Sequence, residues 1–124
     1  MNKSLDINGK LIYDWYQFKL DCDKLAYVIR DSKLILINIF GIPRGGVPIA
    51  VRLASLLDLP LTNNPIIQTL IVDDVVDTGL TREHYAMFPN YVSLHYKPWA
   101  TRKPTYYVHE TTKWIVYPWE VKDE

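Results

Sequence analysis

The sequence lacks the features that mark several classes of protein. Its single cysteine cannot form a disulfide within the chain, and its three histidines show no metal-ligand spacing, so a disulfide scaffold and a zinc module are excluded. No apolar run approaches the ~18 residues that a membrane-spanning helix needs, and the first residues have no apolar signal core. We therefore expect a cytoplasmic protein with no membrane partner.

An excess of charge of one sign is also missing. Fourteen Lys and Arg residues balance fourteen Asp and Glu residues, and the formal net charge is zero. The long-range field that attracts proteins to nucleic acid is therefore absent, and we expect no nucleic-acid partner. The 124 residues are enough for one domain, residues 1–124, and 48% hydrophobic residues can form its core without metal or disulfide.

Apolar spacing predicts one long amphipathic helix near the start of the chain. Between residues 14 and 31, apolar side chains recur at steps of three and four, as in a helix that buries one side. These side chains are Trp15, Phe18, Cys22, Leu25 and Ile29. Since Cys22 lies on the apolar side, it is interpreted as a small buried hydrophobe and not as a nucleophile.

Continuous apolar runs predict buried strands, because they are apolar on both faces and do not alternate. Strands are predicted at residues 34–40, 66–72, 91–96, 106–109 and 114–117, and further helices at 47–57 and about 81–88. Strands that alternate with helices indicate an α/β fold with a mainly parallel sheet flanked by helices.

The loop after the first predicted strand has the composition of an anion site. In open α/β sheets, ligands bind beyond the carboxyl ends of the strands. Residues 41–46 read Gly-Ile-Pro-Arg-Gly-Gly just before a predicted helix. Backbone amides at glycines, the helix dipole and the Arg44 guanidinium all favour a phosphate. Glycines at a strand–helix turn can also be purely structural.

The loop after the second predicted strand is more specific. Residues 71–81 read Ile-Val-Asp-Asp-Val-Val-Asp-Thr-Gly-Leu-Thr. Three carboxylates so close together repel one another unless they accept hydroxyl hydrogen bonds or help to hold a cation. The amides and hydroxyls that follow suit a second phosphate. The structural alternative is a solvated acidic turn with a helix cap, but a cap needs only one such residue.

Acidic pairs at a strand end also occur in receiver domains. There they follow the first strand of the chain, whereas Asp73 and Asp74 follow at least one earlier strand. A receiver domain would also leave the Thr-Gly-Leu-Thr run at residues 78–81 without a role.

Residues 71–81 closely resemble the phosphoribosyl pyrophosphate (PRPP) signature of type I phosphoribosyltransferases: a hydrophobic run, Asp-Asp, two apolar residues and Asp-Thr-Gly-x-Thr. Residues 41–54 are similar to the family's pyrophosphate loop and following helix, closest to the Ser-Arg-Gly-Gly version of bacterial xanthine-guanine phosphoribosyltransferases, with Pro43 replacing serine. Residues 112–120 resemble the end of that branch, where a Trp-Ile pair precedes a Pro-Trp-acidic triplet. The resemblance implies a single-domain type I phosphoribosyltransferase (Rossmann-like) fold with a reduced hood and a shortened lid loop.

The resemblance implies roles for the phosphate and ribose side of the site. Arg44, with the amides of Gly45 and Gly46, would hold the pyrophosphate, and the Pro43–Arg44 peptide bond would be cis. Asp73 and Asp74 would hold the ribose hydroxyls and the Mg²⁺ shell. The residues around the 5′-phosphate would be Thr78, Gly79, Leu80 and Thr81.

The resemblance also implies a base site. Asp77 would contact PRPP and face the base near N7, acting with Arg44 in the chemical step. Lys97 would meet the O6 atom of a 6-oxopurine, Trp114 would stack on the ring, and Ile115 would contact the purine edge through its main chain. By composition alone, Lys97 is a solvated surface charge and Trp114 is core or surface filler.

The sequence departs from the family between Leu57 and Ile71, where a long lid loop is normally inserted and only residues 58–65 are present before the strand resumes. The implied reaction transfers the phosphoribosyl group from PRPP to guanine, xanthine or hypoxanthine, giving a nucleoside monophosphate and pyrophosphate. The implied partners are Mg²⁺, PRPP and a purine base or nucleotide, in a homo-oligomer. Two alternatives remain: a non-catalytic PRPP or nucleotide sensor, and a phosphoribosyltransferase for another base.

Overall fold

The computed structural model describes residues 5–120 and contains two sheets. The elements in chain order are β1 (Leu5–Ile7), β2 (Lys10–Ile12), α1 (Trp15–Asp31), β3 (Asn38–Gly41), α2 (Gly46–Leu57), β4 (Thr69–Val76), α3 (Leu80–His84), β5 (Tyr91–Tyr96), β6 (Tyr106–Glu110), β7 (Trp114–Val116) and a 3₁₀ turn (Pro118–Glu120). Within this part of the chain no helix is long and apolar enough to cross a bilayer.

The larger sheet has the order β3-β4-β5-β6, and every neighbouring pair is parallel. Alternate residues of β4 point to opposite faces, so Leu70 and Val72 join the core beneath α1 and α2. Ile71 lies on the other face, with Tyr85 and Phe88 from the turns that follow α3. Both faces of the sheet are covered, and the predicted α/β fold class is confirmed.

Helix α1 agrees with the apolar spacing. Asp14 is its N-cap and accepts a hydrogen bond from the Gln17 amide at 2.7 Å, which satisfies one free donor of the first turn. Cys22 is fully buried, as expected of a small hydrophobe. Trp15 was expected on the buried side, but it lies mostly exposed at the helix start, edge-on against Phe18.

Strand boundaries differ from the sequence prediction at the acidic segment. The strand predicted at 66–72 begins only at Thr69 and continues to Val76, so Asp73 and Asp74 lie in β4 and not in a loop. Pairing with β5 explains the extension, because the β4–β5 ladder continues through Asp73 and Val75 to Val76. Hydrogen bonding to a neighbouring strand outweighs the low strand propensity of aspartate.

Two other predicted elements are shorter than expected. The strand predicted at 34–40 is confined to β3, and the helix predicted at about 81–88 ends at His84. Pro89 lies just beyond the turns that follow α3, and proline cannot continue a helix.

The smaller sheet has the order β1-β2-β7 and was not predicted as a separate sheet. It joins the two ends of the described chain, because Ile12 of β2 pairs in parallel with Val116 of β7. Just after β7, the Tyr117 hydroxyl donates to the Asp74 carbonyl at 3.1 Å and lies 2.9 Å from His95 Nδ1. Burial lowers the pKa of His95 to about 3, so its ring is neutral. Since the hydroxyl proton is directed to Asp74, His95 carries its proton on Nδ1 and donates to Tyr117.

A carboxylate is fully buried on the helix side of the core. Asp21 Oδ2 accepts from the Tyr13 hydroxyl and lies 2.8 Å from His109 Nε2, while Oδ1 accepts from Gln17 Nε2 at 2.9 Å. Burial by itself raises the pKa of Asp21, but the hydrogen bonds from His109 and Tyr13 outweigh it and lower the pKa below its ordinary value. This side chain is structural.

We expect Asp21→Asn to lower the free energy of unfolding by ~2–4 kcal/mol, because an amide places a donor where one of the two accepting oxygens stands. Denaturant unfolding measures the loss. The control is Asp23→Asn on the same helix, where the carboxylate is exposed and forms surface ion pairs with Lys19 and Arg52. Its effect should stay below ~1 kcal/mol. Equal losses in the two variants would contradict a structural role for Asp21.

Candidate functional site

The loops after β3 and β4 meet because the two strands are parallel and paired, with Gly41 opposite Val72. The loop after β3 is held against β4 by the Ile42 amide, which donates to the Val72 carbonyl at 2.9 Å. The Pro43–Arg44 peptide bond is cis, as the family resemblance implied. Arg44 is exposed, and it lines the same cleft as Asp74 of β4.

The glycines of this loop are needed for a close approach of two backbones. A Cβ on Gly45 would lie 2.0 Å from Asp74 Oδ2, and one on Gly46 would lie 2.2 Å from the Val72 carbonyl oxygen. The Gly46 amide donates to the Ile42 carbonyl at 2.9 Å, within the turn. Any side chain at either glycine would push Arg44 away from β4.

An open cleft of about 870 Å³ lies in front of this contact. Its lining includes Arg44, Gly45 and Asp74, and also Trp119 and Glu120. Trp119 and Glu120 were not predicted as site residues and belong to the Pro-Trp-acidic triplet of the family resemblance. Volumes of ~300–1,000 Å³ are typical of small-molecule sites.

The paired carboxylates at the end of β4 have different partners. Asp73 is buried, its Oδ2 accepts from the Tyr91 hydroxyl at 2.6 Å, and its Oδ1 accepts from the Asp74 amide at 2.9 Å. Asp74 Oδ1 accepts only from the nearby Val75 amide, at 2.8 Å. Burial, followed by the charge of Asp73, raises the pKa of Asp74 to about 7. Asp74 is thus a carboxylate that would be stabilised by a cation.

A small cavity of about 70 Å³ is lined by Asp73, Asp77, Thr78, Gly79 and Thr81, among others. Gly79 has a φ of +97°, and a Cβ there would lie 2.4 Å from Thr101 Oγ1, so a side chain is excluded on both grounds. Thr78 and Thr81 line the cavity, and Thr78 Oγ1 accepts from the Leu80 amide at 3.2 Å. The predicted site residue Leu80 is exposed and is not among the residues that line this cavity.

A third cavity, of about 110 Å³, brings the predicted base-site residues together. It is lined by Asp74, Val75, Asp77, Lys97, Trp114, Ile115, Tyr117 and Glu120. Lys97 is only 5% exposed, and its Nζ donates to the Lys113 carbonyl, so it is not an ordinary surface lysine. Trp114 is 63% exposed, so its ring is not part of the core.

The short segment at residues 58–65 is hydrogen-bonded to β3 and does not line these cavities. The Ile39 amide donates to the Pro60 carbonyl and the Thr62 amide donates to the Ile39 carbonyl, both at 2.9 Å. The segment therefore runs along the outer edge of β3. It pairs with free backbone groups of that edge strand. The family resemblance implied a shortened lid loop at this place in the chain.

One contact of the site was not anticipated from the sequence. Asp77 Oδ1 accepts a hydrogen bond from Trp99 Nε1 at 2.9 Å. Trp99 stands two residues after Lys97, in a stretch that has no local pattern. Only its position two residues after Lys97, a predicted base-site residue, could have drawn attention to Trp99.

The fold and these three adjoining cavities define a type I phosphoribosyltransferase. No protein-family model and no curated protein matches the sequence. Solved structures do match, and a purine phosphoribosyltransferase from Pyrococcus horikoshii OT3 is 33% identical, with a TM-score of 0.79 over 94% of this chain and 97% of that chain. The chain belongs to the purine phosphoribosyltransferase family and is accordingly a transferase.

Two more distant structures share the fold. A xanthine-guanine-hypoxanthine phosphoribosyltransferase from Helicobacter pylori is 21% identical, with a TM-score of 0.74 over 90% of this chain and 94% of that chain. A hypothetical protein from Neisseria gonorrhoeae with bound ppGpp is 20% identical, with a TM-score of 0.73 over 94% of this chain and 92% of that chain.

We expect Asp74→Asn to stabilise the unliganded protein most at alkaline pH. The folded pKa of Asp74 is about 7, above its unfolded value of about 3.9. The folded state therefore loses stability relative to the unfolded chain as pH rises through this interval, and the full loss is present above pH 7. A neutral amide has no such loss, so the free energy of unfolding should rise by ~1–3 kcal/mol at pH 8.

Thermal melting at pH 8 and pH 5 tests this expectation. The melting temperature of Asp74→Asn should exceed that of the parent protein at pH 8, and the difference should shrink at pH 5. The comparison variant is Asp73→Asn, which weakens the acceptor for the Tyr91 hydroxyl and should melt lower at both pH values. A lower melting temperature for Asp74→Asn at pH 8 would mean that this carboxylate supports the fold.

Proposed function

We propose that the chain transfers the 5-phosphoribosyl group of PRPP to a 6-oxopurine base: guanine, xanthine or hypoxanthine. The observation that carries the proposal is the sharing of acidic residues between adjoining cavities. Asp74 lines both the open cleft and the 110 Å³ cavity, and Asp77 lines both the 110 Å³ and the 70 Å³ cavities. Neighbouring spaces of this kind suit a pyrophosphate, a base and a 5′-phosphate attached to one ribose.

The pyrophosphate belongs in the open cleft. Arg44 lies at its base with an exposed, permanently charged guanidinium that can form two parallel hydrogen bonds to phosphate oxygens. The Gly45 amide lies beside it, whereas the Gly46 amide is engaged with the Ile42 carbonyl and would have to be shared or released. Arg44 therefore offsets the charge that develops on the departing pyrophosphate.

The ribose phosphate belongs between Asp73, Asp74 and residues 78–81. The carboxylates accept hydrogen bonds from the ribose hydroxyls. The 5′-phosphate enters the 70 Å³ cavity, where the Thr78 and Thr81 hydroxyls and the Gly79 amide supply donors.

The acidic pair fits Mg²⁺ delivered together with PRPP. Asp74 has a raised pKa because it is buried beside Asp73, and a cation relieves both effects. Residues 5–120 contain no group of three or more acidic, His or Cys side chains suited to a metal. Two carboxylates with substrate phosphates and water match the usual Mg²⁺ environment. When bound, the ion supplies further stabilisation of the pyrophosphate charge.

The base belongs in the 110 Å³ cavity. The buried Lys97 ammonium has donors beyond the one used on Lys113 and can meet the purine O6 atom. Trp114 offers an exposed face for stacking, and Ile115 offers its main chain to the purine edge. Asp77 can accept a hydrogen bond from a purine N–H near N7.

The chemical step follows from these positions. The bond between ribose C1 and the pyrophosphate oxygen breaks, its electron pair leaves with the pyrophosphate, and a base nitrogen forms the new bond to C1. Positive charge on the oxocarbenium-like ribose and on the purine is stabilised by Asp74 and Asp77. The proton of the purine N–H near N7 passes to the Asp77 carboxylate, which accepts a hydrogen bond from it, and no covalent enzyme intermediate is required.

The related structures support a purine substrate. The relative at 33% identity is a purine phosphoribosyltransferase, and the Helicobacter protein is named for xanthine, guanine and hypoxanthine. A nucleotide sensor is the second candidate, because one structure with the same fold holds ppGpp and because residues 58–65 lie along β3. We propose a cytoplasmic homo-oligomer in either case.

Pyrophosphate release tests the reaction. PRPP and Mg²⁺ are supplied with guanine, hypoxanthine, xanthine, adenine or uracil in turn, and calorimetry measures the binding of Mg-PRPP and GMP. Release that depends on a 6-oxopurine supports the proposal. Binding without release favours the sensor, and release with adenine or uracil alone favours another base.

The short 58–65 segment predicts a leak by hydrolysis. Water reaches an oxocarbenium-like centre unless a cover excludes it, so release without base should be a measurable fraction of release with saturating guanine. Grafting a long family loop between Thr62 and Pro65 keeps the Thr62–Ile39 hydrogen bond and should reduce that fraction. Strictly base-dependent release in the parent protein would show that another segment excludes water.

We expect Trp114→Ala to weaken GMP binding by ~1–3 kcal/mol, the range for stacking of a base on an aromatic ring. The affinity for PRPP and the melting temperature should change little, since the ring is mostly exposed. Tyr27→Ala is a matched control, because Tyr27 is 66% exposed and lies on α1 away from the site. An equal loss of PRPP affinity in Trp114→Ala would show a structural role and remove the stacking assignment.

A further inference from the structure

The connection between β5 and β6, residues 97–105, joins two parallel strands without a helix and crosses the carboxyl end of the sheet. Its first part is fixed to the segment that follows β4. The Lys97 amide donates to the Val76 carbonyl at 2.9 Å, and the Thr101 amide donates to the Thr78 carbonyl at 3.0 Å. This connection therefore lies against the residues assigned to PRPP.

The second part of the connection is fixed to α3. Arg102 forms two hydrogen bonds with the Glu83 carboxylate, at 2.9 and 3.2 Å. Arg82 Nε donates to the Lys103 carbonyl at 3.2 Å. Between Lys97 and Thr101, residues 98–100 form a short turn in which the Ala100 amide donates to the Lys97 carbonyl at 3.0 Å.

Trp99 stands at the tip of this turn, 54% exposed, and contacts two side chains that line the 110 Å³ cavity. Its indole N–H donates to Asp77 Oδ1 at 2.9 Å. The Lys97 ammonium lies 5.3 Å from the centroid of its ring, within reach of a cation–π interaction. One indole thus links the acidic and the basic side chain of the proposed base site.

We infer that Trp99 is a positioning residue for the base, acting through Asp77 and Lys97. This inference rests on the proposed function. The indole holds one carboxylate oxygen of Asp77, and the other oxygen, Oδ2, is directed to the purine N–H. A carboxylate and an ammonium that are held before the base arrives lose less freedom when it binds. The Lys97-Pro98-Trp99 sequence supplies both the ammonium and the ring that supports it.

The substitution Trp99→Phe separates the two contacts, because phenylalanine keeps a ring face for Lys97 and removes the N–H from Asp77. In the pyrophosphate-release assay, the KM for guanine should rise about tenfold, the size expected for a lost hydrogen bond to a charged group. The KM for PRPP and the melting temperature should stay within experimental error. Trp99→Ala removes both contacts and should raise the KM for guanine further.

Tyr27→Phe is the control, since it likewise removes one donor from an exposed aromatic side chain, and Tyr27 is 66% exposed on α1. It should leave both KM values unchanged. An unchanged KM for guanine in Trp99→Phe would overturn the inference. A lower KM would overturn it as well, because it would show that the indole competes with the base for Asp77.

A double-mutant cycle tests whether Trp99 acts through Asp77. Calorimetry with GMP is used, so the test does not require turnover. Trp99→Phe should weaken GMP binding in the parent protein and have little further effect in an Asp77→Ala background, which has no side-chain acceptor for the indole. Additive losses would overturn the inference.

The two proposals fail in different ways. GMP binding that is weakened by Trp99→Phe, with no pyrophosphate release for any base, refutes the transferase reaction and supports the positioning role. Release with guanine that is unaffected by Trp99→Phe refutes the positioning role alone. Absence of both GMP binding and release would overturn both.

Discussion

At the carboxyl end of β4, the loop that follows β3 approaches so closely that two consecutive residues have no room for a Cβ. One Cβ would meet the Asp74 carboxylate and the other the Val72 carbonyl oxygen. Parallel pairing of β3 with β4 leaves the chain few residues in which to turn into α2, and at position 46 only glycine avoids a collision with the backbone of β4. The position of Arg44 beside the acidic pair, and with it the shape of the open cleft, follows from that approach.

Two carboxylates of this small domain, the fully buried Asp21 and the half-buried Asp74, have opposite pKa shifts. Asp21 is surrounded by Tyr13, Gln17 and His109, and their hydrogen bonds lower its pKa. Asp74 has the charge of Asp73 beside it and amide donors only from its own strand, so its pKa is raised. A carboxylate with enough donors stabilises a core, whereas one left short of compensation is suited to a ligand or a cation.

The base side of the site is built from contacts between distant parts of the chain. The Tyr117 hydroxyl joins the small sheet to the Asp74 carbonyl, 43 residues earlier. Lys97 reaches the carbonyl of Lys113, and Trp99 reaches Asp77. The small sheet therefore brings Trp114 and Ile115 to the cavity that Asp74 and Asp77 also line. The connection after β5 contacts the same cavity through Lys97 and Trp99.

The sequence by itself determined the features that depend on residues close together along the chain. The period of α1, the apolar cores of β4 and β5, and the two loop motifs are local, because a helix face and a phosphate loop need residues at fixed short spacing. Tertiary structure decided where β4 ends, since its pairing with β5 extends it through Asp73 and Asp74. It also decided the three-stranded sheet, whose strands of three residues each are too short to show a period. The burial of Lys97 and the contact of Trp99 with Asp77 likewise arise only from packing, because a hydrogen bond between residues 22 positions apart leaves no pattern in the sequence between them.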